Sequence, residues 1–224
     1  LLSTHLKSPL SRNVGWYHAV VKRGVHSAAY NGELKTLKCL LQADQYNMVD
    51  IDRVDEAGMT PLMWAALQGH ALTCRLLLEH GANPDIHQTN GNNTALLFAA
   101  GKGHVDIVRS LIAAGSHVDE RNAAGNAATE LALFYCADQH EGSEASKRMK
   151  KVVSLLYSQG AKLDERNHHG ATPLEQCIAR LLGPSVSLLL DLGMRVNDLN
   201  PRSRMTPLQA LCMSGDCSHE CVAI

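Results

Sequence analysis

The stretch Thr60-Pro61-Leu62-Met63-Trp64-Ala65-Ala66-Leu67-Gln68-Gly69-His70, continued by Cys74-Arg75-Leu76-Leu77-Leu78-Glu79-His80-Gly81-Ala82, decides the fold. Thr60 reads as a helix N-cap, with Pro61 at the first helical position, where its missing N–H costs nothing. Ala65 and Ala66 are small enough to let a neighbouring helix approach closely. Gly69 then ends this first helix in a conformation that side chains resist. Leu76, Leu77 and Leu78 supply the buried stripe of a second helix, and Gly81 closes it.

The phrase recurs. Gly58-Met59-Thr60-Pro61-Leu62 is echoed by Gly91-Asn92-Asn93-Thr94-Ala95-Leu96, Gly170-Ala171-Thr172-Pro173-Leu174 and Arg204-Met205-Thr206-Pro207-Leu208. Thr60 to Thr94 is 34 positions, and so is Thr172 to Thr206; the 78 positions from Thr94 to Thr172 hold one divergent copy and an insertion. Such a period implies an all-α solenoid of stacked helix-turn-helix units, each burying its apolar face only against its neighbours. Five full repeats and a truncated sixth are expected, near 25–54, 55–87, 88–121, 122–166, 167–200 and 201–224. Residues 1–24 do not match and form a cap or a disordered flank. In the fourth copy the phrase has decayed to Ala127-Ala128-Thr129. Its Leu155 follows Ala132 by 23 positions where Leu77 follows Ala65 by 12, an 11-residue insertion near 139–151 that extends the helices or projects as a loop.

Composition narrows the function. With 21 Lys and Arg against 22 Asp and Glu, the net charge of -1 offers no global field for nucleic acid or an anionic membrane. Aromatic residues are only 4% of the chain, as suits small helices packed through Ala and Leu. The odd count of 7 cysteines, mostly one per repeat, reads as buried thiols rather than a disulfide framework. An intracellular, chiefly cytoplasmic and alternatively nuclear protein is expected. No apolar run approaches the roughly 18 residues of a membrane span. Leu1 stands where a start methionine would, and Ile224 falls inside an unfinished repeat, so a fragment is expected.

The recurring phrase resembles the ankyrin repeat: Gly-x-Thr-Pro-Leu-His-x-Ala-Ala-x-x-Gly-His, then a Leu-Leu pair and Gly-Ala-Asp. The resemblance covers about residues 25 to 224 and implies β-hairpin loops joining the helix pairs. The family histidine is replaced by Met63, Leu97, Glu130, Glu175 and Gln209, which puts the regularity of the fourth repeat in doubt. A finer resemblance links Gly58 to Met63, His80 to Ala82, His87-Gln88 and Thr94 to Ala100 with the ankyrin segment of proteins carrying a MYND zinc finger.

In such a repeat the residues facing a partner lie in the hairpin and just after the Ala-Ala pair. The resemblance thus implies a protein-binding face comprising Tyr30, Met59, Leu67, Gln68, Lys102, Phe134, Tyr135, His168, His169, Arg180 and Arg202. Hot spots favour aromatic and Arg side chains, which selects Tyr30, Leu67, Phe134, Tyr135, Arg180 and Arg202, with most weight on Phe134 and Tyr135. The plainer alternative packs Phe134 and Tyr135 against the insertion. Trp64 and Phe98 occupy a Leu position and are expected in the core, while His70 and His104 should bond to neighbouring backbone. His168-His169 reads first as a solvated tip rather than a metal or pH site. Cys212, Cys217, His219 and Cys221 include zinc ligand types but lack a knuckle spacing, so no metal is assigned. The run Lys147-Arg148-Met149-Lys150-Lys151 reads as a solvated helix face, alternatively a contact for phosphates or an acidic partner.

No phosphate-cradling loop, Gly-x-Ser-x-Gly elbow or nucleophile with a base is found. The expected function is a non-catalytic protein-protein interaction scaffold or adaptor. It needs no cofactor and no obligate small molecule and binds no nucleic acid. The alternative is the substrate-recognition segment of a larger ubiquitin ligase, kinase or methyltransferase.

Overall fold

The computed structural model describes residues 24–42, 50–135, 142–168, 170–207 and 209. Helices come in pairs: α1 (residues 24–31) with α2 (Leu34–Gln42), α3 (Pro61–Gln68) with α4 (Ala71–Glu79), and α5 (Ala95–Gly101) with α6 (Val105–Ala113). They continue as α7 (Ala128–Phe134) with α8 (Glu144–Ser158), and α9 (Pro173–Ala179) with α10 (Gly183–Asp191). Along one layer α3 packs on α5, α5 on α7 and α7 on α9; along the other α2, α4, α6, α8 and α10 follow in order. The result is the expected stack of two helical layers. Truncation of the sixth copy and the cluster of Cys212, Cys217, His219 and Cys221 fall outside the described residues.

Each first helix starts as its sequence dictates. The Thr60 hydroxyl accepts from the Met63 N–H at 3.2 Å, Thr94 from Leu97 at 3.4 Å and Thr172 from Glu175 at 3.2 Å. Second helices end alike, with the N–H groups of Ala82, Ser116, Ala161 and Met194 donating to the carbonyls of Leu77, Leu111, Leu156 and Leu189. That shared bond equates Leu156, not Leu155, with Leu77. Leu156 lies 24 positions beyond Ala132 and Leu77 lies 12 beyond Ala65, so the insertion is 12 residues rather than 11. Part of it becomes helix: α8 has 15 residues where α4 and α6 have 9 each.

Between the pairs the chain turns in hydrogen-bonded loops. Among the described residues these contain no strand, only an isolated antiparallel bridge between Arg121 and Ala127. The carboxylate of Asp55 accepts from the N–H groups of Ala57 and Met59, and the amide oxygen of Asn122 does the same for Ala124 and Asn126. Two residues before the capping position the backbone turns left-handed, at Gly58 (φ 69) and Gly170 (φ 79). In the second hairpin Asn92 (φ 52) takes this conformation instead of Gly91, because the register runs back from Thr94 and Asn tolerates it.

The fourth repeat keeps only half of its cap. Ala127 has no hydroxyl to accept from the Glu130 N–H, but the carboxylate of Glu130, 0% exposed, still accepts from the Ala127 N–H at 2.8 Å, as Glu175 does from Thr172 at 3.3 Å beside an intact Thr cap. Arg121 donates to Glu130 at 3.2 Å, to the Gly125 carbonyl at 2.6 Å and to Glu165 at 3.2 Å. Arg166 repeats the device, donating to Glu175 at 2.9 Å and to the Gly170 carbonyl at 2.8 Å. Burial pushes the Glu130 carboxyl above its usual 4.5, against the pull of the Ala127 N–H and Arg121. A raised folded value favours the fold below the unfolded pKa, an advantage lost as pH rises through the folded one. The ionised form of Glu130 is therefore a cost that Arg121 and the Ala127 N–H offset in part.

Two outcomes follow for urea unfolding. Thr60→Ala lowers stability by about 1 kcal/mol through loss of the cap. Arg121→Met lowers it by about 3 kcal/mol by stranding a buried carboxylate, and adding Glu130→Gln recovers part of that loss. Equal losses in the single and double variants would mean that the charge pair is not what holds this hairpin.

Candidate functional site

The inner layer and its hairpins present the face on which the sequence places the binding residues. At one end Tyr30 is 46% exposed and meets Trp64 edge-on, with ring centroids 5.2 Å apart at 77°. The Trp64 indole N–H donates to Asp55 at 2.7 Å. Burial pushes the Asp55 carboxyl up, yet the Met59 N–H, the Trp64 indole and the Ala57 N–H together hold it below its usual 3.8. Trp64 and Phe98, expected in the core, are half-buried: they pack against it and leave an edge on the inner face. Trp64 and Asp55 are thus members of the site that hot-spot reasoning missed. The indole at a Leu position was the available signal.

Further along, Gln68 and Lys102 are exposed and Leu67 is half-buried against the core. Phe134 is also half-buried, and the Arg180 guanidinium carbon lies 3.9 Å above its ring centroid. This cation–π contact joins the fourth and fifth repeats and keeps Arg180 at the surface. Sequence placed both residues on the binding face, and the structure puts them in contact.

One candidate, Met59, turns inward, and others also pack on a neighbouring unit. Met59 is 2% exposed: its N–H and carbonyl close the hairpin onto Asp55, which turns the side chain inward. Tyr135 packs half-buried over Gly103 (φ 68), where a Cβ would lie 2.8 Å from the phenol ring. It thereby occupies the place that His70 takes over Gly32 and His104 over Gly69. His168 is exposed and at the same time covers Gly125. Arg202 likewise lies over Gly170 and donates to the His168 carbonyl at 3.3 Å while remaining exposed. His169 lies outside the described residues.

As expected, the histidines of the helical turns hold neighbouring backbone: His70 Nε2 lies 2.9 Å from the Tyr30 carbonyl and His104 Nε2 lies 3.4 Å from that of Leu67. Burial lowers the His104 pKa from 6.5, helped by the charges of Arg148 and Lys102. Burial pushes the Cys74 and Cys177 thiols up to about 12, so neither supplies a thiolate nucleophile at neutral pH. The described residues contain no group of three or more His, Cys, Asp or Glu placed to hold a metal. What this surface offers is shape, aromatic edges and isolated cations.

The family description "Ankyrin repeats (3 copies)" matches residues 25–122. This is an ankyrin-repeat chain. The repeats are similar to those of the human protein "Ankyrin repeat domain-containing protein 39", 43% identical over 64 residues, covering 29% of this chain and 33% of that protein. They are also similar to "Potassium channel AKT2/3" of Arabidopsis thaliana, 31% identical over 160 residues, covering 71% of this chain but 18% of the channel. A third relative is "Palmitoyltransferase akr1" of Schizosaccharomyces pombe, 42% identical over 65 residues, covering 29% of this chain and 9% of the enzyme. The chain therefore spans a third or less of the length of these relatives. An ankyrin domain is itself non-catalytic, and no helix among the described residues is long and apolar enough to cross a membrane.

The depressed His104 pKa makes a pH prediction for the ankyrin stack. A lowered folded value gives stability that is present above 6.5 and lost as pH falls through the folded pKa. Thermal melts should show a loss of stability below 6.5 in the wild type, reduced in His104→Asn; parallel pH profiles would refute the assignment.

Proposed function

We propose that this ankyrin chain is a non-catalytic recognition module that binds a protein partner through its inner face. The observation carrying this reading is the pair of surface clusters Tyr30–Trp64 and Phe134–Arg180, aromatic and Arg side chains supported from below by the repeat core. Such groups are the commonest energetic anchors of protein interfaces, and a rigid platform lowers the entropy lost on binding. Gln68, Lys102 and Arg202 add exposed polar contacts around them. His169 belongs to the same proposed face by its place in the sequence.

The similarity to segments of a channel and a palmitoyltransferase supports a second form of the same reading. In it the module recognises substrates or partners for a longer polypeptide whose chemistry lies elsewhere. The repeat bounds set out from the sequence remain the proposed domain division, and the proposed setting is intracellular.

Affinity purification from cell extract with quantitative mass spectrometry tests the role of the face. Tyr30→Ala with Arg180→Ala should deplete specific partners by about tenfold, which corresponds to about 1.4 kcal/mol, while the melting temperature stays within a few degrees of wild type. Unchanged partner enrichment in a folded double variant would rule out the inner face as the principal binding surface.

A further inference from the structure

A second surface lies at the helical-turn end of the stack. There Gly69, Ala71, Gly103, Val105 and Ile107 floor an open groove of about 430 Å³ walled by His104, Asp106 and Arg109 on one side and Glu144, Arg148 and Lys151 on the other. The second wall follows from the repeat that breaks the rule. In α8, Met149, Val152, Val153 and Leu156 are buried at helical spacing, which fixes the rotation of the helix. Glu144, Arg148 and Lys151, spaced i, i+4 and i+7, then share one edge, and that edge borders the groove. The added length of α8 brings the edge to this position.

The charges do not cancel. Arg109, Arg148 and Lys151 are exposed, and none has an ion pair within 4.0 Å among the described residues. Glu144 pairs with Lys147 at 2.8 Å and also feels the charges of Arg148 and Lys151, and with Asp106 it sets two carboxylates against the three cations of the lining. The excess is local, since the whole chain carries -1. A nucleic acid would need a basic stripe along the array, whereas this is a short basic cleft with a small apolar floor.

We propose that this groove between α6 and α8 docks an acidic peptide segment of a protein partner. Carboxylates of the segment face Arg109, Arg148 and Lys151, and a small apolar side chain rests on the half-buried Ala71 and Val105. The groove shares no lining residue with the Tyr30–Trp64 and Phe134–Arg180 clusters but begins beside Gln68 and Lys102, so a partner can engage both, with the avidity that follows when its segments can span them.

The test uses the full chain and fluorescein-labelled peptides in which Asp and Glu flank a single Leu or Val, each paired with its Asn/Gln counterpart. Fluorescence anisotropy at low salt should favour the acidic peptides, and binding should weaken as salt screens the exposed charges. Arg148→Glu with Lys151→Glu should weaken binding by about tenfold or more, and Arg148→Gln with Lys151→Gln by less, whereas Tyr30→Ala with Arg180→Ala leaves it unchanged. Thermal melts identify any variant that has lost its fold, and the neutral pair serves if the reversed pair unfolds. Equal affinity for acidic and amide peptides, or indifference to both α8 variants, overturns the proposal. So does groove-dependent binding of duplex DNA or phosphatidylserine vesicles that exceeds binding of every acidic peptide. Loss of the inner-face activity alone bears on the recognition role and leaves this result intact.

Discussion

No helix pair in this chain can bury its own apolar face, and everything else in the structure follows from that constraint. Ala65, Ala66, Ala99 and Ala100 are 0% exposed because α3 and α5 meet along them. Small side chains permit this approach, and Leu77, Leu111 and Leu156 fill the space behind it in the outer layer. Stability is then shared between neighbouring units rather than drawn from one centre. A lost cap or a stranded charge in one unit is felt by those on either side.

The stitching between units uses two rows of contacts. In the helical turns His70 and His104 cover the preceding glycine and bond to the preceding backbone. In the hairpins Thr89 covers Gly58, His168 covers Gly125 and Arg202 lies over Gly170. The fourth unit lacks the Thr cap, yet it keeps its place. The Glu130 carboxylate, paired with Arg121, holds the Ala127 N–H, and the Tyr135 ring covers Gly103 as the imidazoles cover the glycines of the earlier turns. The departures that look like decay in the sequence are substitutions of one packing solution by another.

The same unit shows how structure and recognition share residues. Phe134 lies at a position where the preceding repeat has Gly101, so its ring reaches the inner surface and supports Arg180. The elongated α8 adds a basic edge on the far side of the same helical turn. Both features arise where the regular phrase lapses, because a solenoid can tolerate extra length and altered surface residues provided each interface to its neighbours is still filled.

Local rules were legible in the chain itself. Thr caps, left-handed glycines, the Ala-Ala pair and the leucine stripe involve residues within a few positions of one another, so the period and the fold could be read directly. The candidate face was legible only as a set of positions. Whether Met59 turned inward, whether Tyr135 lay on a glycine 32 positions earlier, and whether Arg180 met Phe134 depended on neighbours in the next unit. The pairing of Arg148 and Lys151 with Arg109 likewise required the rotation of α8, set by the depth to which Met149 and Leu156 are buried. Sequence by itself determined a stack of ankyrin repeats, because its signals are short-range hydrogen bonds and helical spacing. Tertiary structure alone decided which surface residues are free, because that is settled by side chains packing across repeats.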